Sequence, residues 1–258
     1  MGMTTPAGRR PRLGEWMATV GTARWRVASI VSGPLGPRGS APSSRDVTSA
    51  PLLLPPGAFA KQDPSDDRLF YRPARLVQHL DDGARAALTA RYAAVLEPGA
   101  DLLDLMSSWV SHLPDAPTPG PTLGRVAGHG MNAEELRANP RLTEWWVQDL
   151  NADPALPSGD ASFDAVLCCV GVQYLQRPVE VFAEARRVLR PGGRAVVSFS
   201  NRCFPTKAVV AWLALDMAGR AALVGAYLRE AGFADVEAHV LADGRVGDPL
   251  VAVEGRTG

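Results

Sequence analysis

Three things are scarce in this chain of 258 residues. Cysteine occurs only at Cys168, Cys169 and Cys203, an odd set without the spacing of metal ligands or of a disulfide framework. That excludes a metal cage or a disulfide-stapled scaffold, and the expectation is a reducing, soluble setting with no metal site. No run of eighteen apolar residues exists, so no membrane span is expected. An excess of either charge is also missing, with 27 basic and 27 acidic residues, and such a balance creates no global field to recruit nucleic acid or an anionic membrane.

Acid is scarce in one region above all. Across residues 1–50, Arg9, Arg10, Arg12, Arg24, Arg26, Arg38 and Arg45 face only Glu15 and Asp46, among many Ser, Thr, Ala, Gly and Pro. This is the composition of an organellar transit peptide, which implies a chloroplast or mitochondrion; a disordered tail or a wrongly chosen start fits it as well, and then the cytoplasm is expected. Residues 51–69 are Pro-rich and read as a linker. Ordered patterning spans residues 70–256, long enough to bury one sizeable core.

The strongest pattern lies at 163–200, FDAVLCCVGVQYLQRPVEVFAEARRVLRPGGRAVVSFS. Phe163 to Val172 is a nearly continuous apolar run, as a strand covered on both faces of a parallel sheet would be. Pro178 suits the first turn of a helix whose apolar stripe is Val179, Val181, Phe182, Ala185, Val188 and Leu189. Pro191-Gly192-Gly193 stops that helix and turns the chain into the next buried strand. Upstream, a helix from Asp82-Gly83 to Leu96 precedes the strand Leu102 to Leu105. Downstream, Thr206 is a cap candidate for one helix, a second runs from about Ala218 to Ala231, and Phe233 to Leu241 with Leu250 to Glu254 reads as a hairpin.

The wording FDAVLCCVGVQYL with ARRVLRPGGRAVVSFS resembles the class I S-adenosylmethionine (SAM) methyltransferases that carry a type 11 methyltransferase domain. From Phe70 onward, DLMSSWVSHLP, GMNAEELRANP, VQDLN and FSNRCFPTKA resemble a subgroup of them. The resemblance implies an α/β fold: a doubly wound, mostly parallel seven-stranded sheet with an antiparallel last strand. It also implies transfer of a methyl group from SAM to an acceptor, expected to be a small molecule.

In that family the first strand ends in an acid followed by a glycine-rich loop at a helix N-terminus. Asp104 stands in the acid's place, but the loop Met106-Ser107-Ser108-Trp109-Val110-Ser111-His112 contains no glycine. Without glycine the backbone is not expected to approach a ligand in positive-φ conformations, and Ser107 and Ser108 become candidates for capping the helix and meeting the cofactor carboxylate. The second acid of the family is replaced by Gly130, with Asn132 as the nearest polar substitute or a plain helix N-cap. Asp149 and Leu150 match the adenine-binding pair, Asp149 alternatively capping a turn. Val170 and Met106 complete the cofactor-binding candidates.

His112 and His79 are candidate bases, and each has an ordinary structural reading; Tyr174 is a third catalytic candidate or a packing residue. Tyr71, Gln173, Asn201 and Arg202 are candidate substrate contacts, with FYRPARLVQHLDD as a candidate lid. Arg202 with Lys207 can hold an acidic group, or both can be solvated or capping. The missing glycines and second acid also fit a catalytically inactive methyltransferase-fold scaffold or assembly factor. Oligomeric state is not legible.

Overall fold

The structure is a computed structural model that describes residues 54–114 and 122–258; the expected transit-like segment 1–50 lies outside the described residues. In chain order the elements are α1 (Asp67–Tyr71), α2 (Asp82–Val95), β1 (Leu102–Asp104), β2 (Val126–Gly130), α3 (Ala133–Ala138), β3 (Glu144–Val147) and β4 (Phe163–Cys169). A 3-10 turn (Val172–Tyr174), α4 (Pro178–Val188), β5 (Leu189–Phe199), α5 (Val210–Leu213), α6 (Met217–Glu230), β6 (Ala234–Ala242) and β7 (Leu250–Arg256) follow. The strands form one sheet in the order β3-β2-β1-β4-β5-β7-β6. All neighbours pair in parallel except β7, which lies antiparallel between β5 and β6. This is the expected doubly wound α/β sheet, with the antiparallel last strand beside the fifth.

Alternation along the strands explains why both faces are covered. Leu103, Ala127, Val166 and Val197 point into one core with Phe182 of α4 and Leu228 of α6. Their neighbours Leu102, Val126, Leu167 and Val196 point into a second core with Leu88 and Tyr92 of α2. A strand buried on both faces has no polar side to show, hence the apolar runs in the sequence.

Local chemistry sets the boundaries. Asp81 caps α2 by accepting from Ala84 N, Asp216 caps α6 by accepting from Gly219 N, and Pro178 opens α4. Two expectations need correction. The Pro191-Gly192-Gly193 turn is a bulge within β5: the strand begins at Leu189, directly after α4, and its register against β4 shifts between Phe163 and Ala165. Thr206 caps nothing, because α5 starts at Val210 without a side-chain cap, and the Thr206 carbonyl instead accepts from Asp63 N.

The described part of the expected linker, from Leu54 on, packs onto the domain. Ala58 is buried, its carbonyl and that of Ala60 accept from Ala211 N and Val210 N, and Lys61 bridges to Val209. Lys207, fully buried, ion-pairs with Asp63 and Asp67 and donates to the Ser65 carbonyl, while Lys61 pairs with Asp67. Two cations and two carboxylates thus fasten this strap before it reaches the site, and Lys207 is not free to hold a ligand.

Candidate functional site

A cavity of about 310 Å³ opens at the carboxyl ends of β1, β2, β3 and β4, where open α/β sheets leave a crevice. Its floor begins with the chain after β1. Among the described residues no helix follows β1: residues 105–114 are turn and coil, so Ser107 and Ser108 do not cap one there. Met106 itself takes a positive φ of 59°, the left-handed conformation that the missing glycine was expected to deny the loop. For a non-glycine residue this costs about 1–2 kcal/mol. Close packing surrounds it, since a Cβ on Gly171 would meet Met106 Cβ at 2.9 Å.

Hydrogen bonds hold the loop in place. Met106 N donates to His129 Nδ1 (3.1 Å) and Ser107 N to His129 O (2.6 Å). Ser107 Oγ donates to Asp104 Oδ2 (2.6 Å), and Asn139 Nδ2 donates to Ser108 O and Ser111 Oγ. Burial pushes the Asp104 carboxyl up to about 6, with the Ser107 and Ser111 hydroxyls pulling the other way. Burial also holds the His129 imidazole down at about 4.

Gly130 has a steric reason to be glycine: a Cβ there would lie 2.5 Å from Ser107 O. The acid expected at this point has no room. Asn132 does not replace it as a ligand, because its amide is spent. Oδ1 accepts from Glu134 N and Glu135 N as the cap of α3, while Nδ2 donates to Tyr71 O and Arg72 O. Glu135, on α3, is the acid that this segment brings to the cavity. Its Oε2 accepts from Ser108 Oγ and its Oε1 from Arg75 N, both at 2.7 Å.

Across the floor, Asp149 Oδ1 accepts from Asn151 N (2.9 Å) and its carbonyl from Ala152 N and Asp153 N. It caps that turn, yet Oδ2 takes no donor from the described residues. Asn151 ties the floor to the strap, donating to Tyr174 O (3.0 Å) and Asp67 Oδ2 (3.4 Å). Leu150 is buried beside it. At the end of β4, Val170 also has a positive φ, 45°, and its carbonyl accepts from Gln173 Nε2 (2.7 Å).

The other wall comes from the strap and from the chain after β5. Phe70, Tyr71, Tyr174 and Phe204 pack ring against ring, with the Arg75 guanidinium 4.5 Å over Phe70. Tyr174 is buried, its hydroxyl accepts from Phe204 N, and burial pushes it up to about 12, so packing is its first task. His79 and His112 both line the cavity, and neither imidazole has a hydrogen-bond partner among the described residues. Burial lowers both, His112 to about 4 with Arg85 and His79 adding to the effect. Cys168 and Cys169 are protonated thiols, raised by burial.

These observations meet three comparisons with known proteins. Residues 124–197 match the methyltransferase domain family. That match covers less than a third of the chain, and the seven-stranded sheet around it has the class I methyltransferase fold. Its fold is similar to a chain from the complex of the Haloferax volcanii Trm112 methyltransferase activator with a methyltransferase, at TM-score 0.50 and 17% identity over 67% of this chain and 90% of that one. The malonyl-[acyl-carrier protein] O-methyltransferase of Hahella chejuensis is 46% identical over 70 residues, 27% of this chain and 24% of that protein. The ubiquinone/menaquinone biosynthesis C-methyltransferase UbiE of Paracoccus denitrificans is 45% identical over 60 residues, 23% of each. The chain thus spans about a quarter of the length of these curated relatives.

Asp104, Met106, Ser107, Ser108, Asn132, Asp149, Leu150 and Val170 all line this one cavity, as do His79, His112, Tyr174, Tyr71, Gln173 and Arg202. Asn201 does not: it is exposed, outside the lining, and accepts from Ser200 Oγ. Arg202 is paired with Asp248 at 2.8 Å, so it offers no unpaired charge to an acidic ligand. Reading the sequence missed Glu135, Arg75 and His129. The signal for Glu135 was the spacing Asn132-x-x-Glu135, which suggests a capping box; the side chain instead turns to the cavity.

Proposed function

We propose that this chain binds SAM in the cavity at the carboxyl ends of β1 to β4 and catalyses methyl transfer to a small-molecule acceptor. The observation that carries the reading is the pair of carboxylates on the floor with acceptor capacity to spare. Asp149 Oδ2 takes no donor from the described residues, and Glu135 uses one bond per oxygen of the two each can accept. A nucleoside with ring amine and ribose hydroxyls presents donors of the kind such acceptors need. The residues therefore fit the cofactor, with Asp149 and Leu150 toward the base, Glu135 toward the sugar, and Ser107 and Ser108 toward the amino-acid end.

SAM supplies a methyl group already activated on a sulfonium. The chain has to orient the acceptor and exclude water, and the aromatic wall of Tyr71, Tyr174 and Phe204 does both. An acceptor oxygen or nitrogen sheds a proton as it is alkylated. Burial keeps the His79 and His112 imidazoles neutral at pH 7, and neither has a hydrogen-bond partner among the described residues, which suits them to receive it.

The test is calorimetric titration with S-adenosylhomocysteine. We expect binding by the intact chain, and Glu135→Gln and Asp149→Asn to weaken it by roughly tenfold or more each, the worth of a hydrogen bond to a charged acceptor. A folded chain that binds neither SAM nor S-adenosylhomocysteine would sink this reading. It would favour the second one, a methyltransferase-fold scaffold, to which the self-satisfied amide of Asn132 already lends support.

A further inference from the structure

We infer that His129 is a positioning residue that holds the glycine-free loop in its ligand-ready shape, doing through its imidazole what a glycine does by conformational freedom. The proposal rests on the cofactor reading above and adds a residue that this reading does not require.

The geometry dictates the chemistry. His129 sits on β2, 1% exposed, between the loop after β1 and the end of β3. Met106 N–H can only donate, so Nδ1, 3.1 Å away, must be the bare nitrogen. Gln148 O can only accept, so Nε2, also at 3.1 Å, must carry the proton. One neutral tautomer satisfies both contacts, and neither the other tautomer nor the imidazolium does. The low pKa of the ring agrees with this assignment.

The two partners are informative. Met106 is one of two loop residues at positive φ, with His112, and its N–H is fixed by the ring while the next N–H, of Ser107, is fixed by the His129 carbonyl. Consecutive amides of the loop are thus held by one residue. Gln148 immediately precedes Asp149, so the far side of the ring braces the turn that presents the floor carboxylate. His129 spans the cavity floor from the loop to the third strand, and Trp146 packs beside the ring.

Two substitutions separate its contacts. Asn carries Oδ1 where His carries Nδ1, so His129→Asn keeps an acceptor for Met106 N–H. Gln carries a donor Nε2 at the remote position, so His129→Gln keeps the Gln148 contact and leaves Met106 N–H without an acceptor. We expect His129→Asn to bind S-adenosylhomocysteine within about threefold of the unmodified chain, and His129→Gln to bind roughly tenfold or more weakly, the cost of a buried donor left unpaired. A volume-filling histidine predicts no such split, and equal affinities for the two variants would overturn the proposal. Should the unmodified chain bind no S-adenosylhomocysteine, the cofactor reading fails first, and that result is distinct. Should either variant fail to fold, ¹⁵N NMR of the unmodified chain decides: bare Nδ1 with protonated Nε2 supports the strut, and the reverse tautomer overturns it.

Discussion

The unit β4–α4–β5 and the loop that follows β1 lie on adjoining strands of one sheet and are built in opposite ways. Phe163, Val181, Phe182, Ala185, Val188 and Val196 are each 0% exposed, and many interchangeable apolar contacts hold them. The loop 105–114 has few such contacts. A few hydrogen bonds with His129, Asp104, Glu135 and Asn139 shape it around Met106 and His112 in left-handed conformation. Redundant burial gives a scaffold that tolerates change in any one contact. A loop held by a few hydrogen bonds has strain and ionisable groups at hand, as sites that bind do.

Removing a large side chain from the first region should have the largest effect. Phe182→Ala deletes a ring at the centre of the core between α4 and the sheet, and should cost about 3–5 kcal/mol of stability. Urea unfolding measures it. A loss below about 1 kcal/mol would mean that the unit is not the redundant core described here.

A second, smaller effect separates the regions by pH. Asp104 is held up to about 6 from an ordinary 3.8, so the folded chain binds this proton more tightly than the unfolded chain. The stability it contributes is present below pH 4 and lost as pH rises through 6. His129 and His112, both held down at about 4 from 6.5, act oppositely: their contribution is present above pH 6.5 and lost as pH falls through 4. Asp104→Asn removes the first effect alone. Its stability relative to the unmodified chain should rise between pH 4 and 7 by about 2–3 kcal/mol, read from urea midpoints. A difference independent of pH would show that Asp104 is not buried as a costly carboxylate.

The same contrast explains what was legible in the sequence. Burial on both faces leaves apolar runs at β4 and β5, an apolar stripe marks α4 and alternation marks the closing hairpin, so these elements were readable from neighbouring residues alone. The bulge at Pro191-Gly192-Gly193 was not, because a β-bulge and a tight turn use the same residues. Asp149, two residues beyond β3, was placed beside the cavity through the resemblance of VQDLN and not through a local rule. The loop was misread because its conformation is set by His129, more than twenty positions away, and no local rule lets histidine stand in for glycine. Asn132 was open to reading as a ligand or a helix N-cap; it is the cap, and Tyr71 and Arg72, some sixty residues upstream, take up its amide hydrogens.

The smallest effect is expected where proximity in sequence misleads. Asn201 follows β5 and is next to Arg202 and Cys203, both of which line the cavity, yet its own side chain is exposed and meets only Ser200 Oγ, at 3.1 Å. Asn201→Ala loses one solvent-accessible hydrogen bond, and such surface changes usually stay within about 0.5 kcal/mol. Thermal midpoint and S-adenosylhomocysteine affinity should both match the unmodified chain. A severalfold loss of affinity would place Asn201 at the ligand, which requires residues 200–204 to take a different arrangement when the cavity fills. The chain after β5 would then belong with the loop after β1, as a region whose shape individual polar contacts decide.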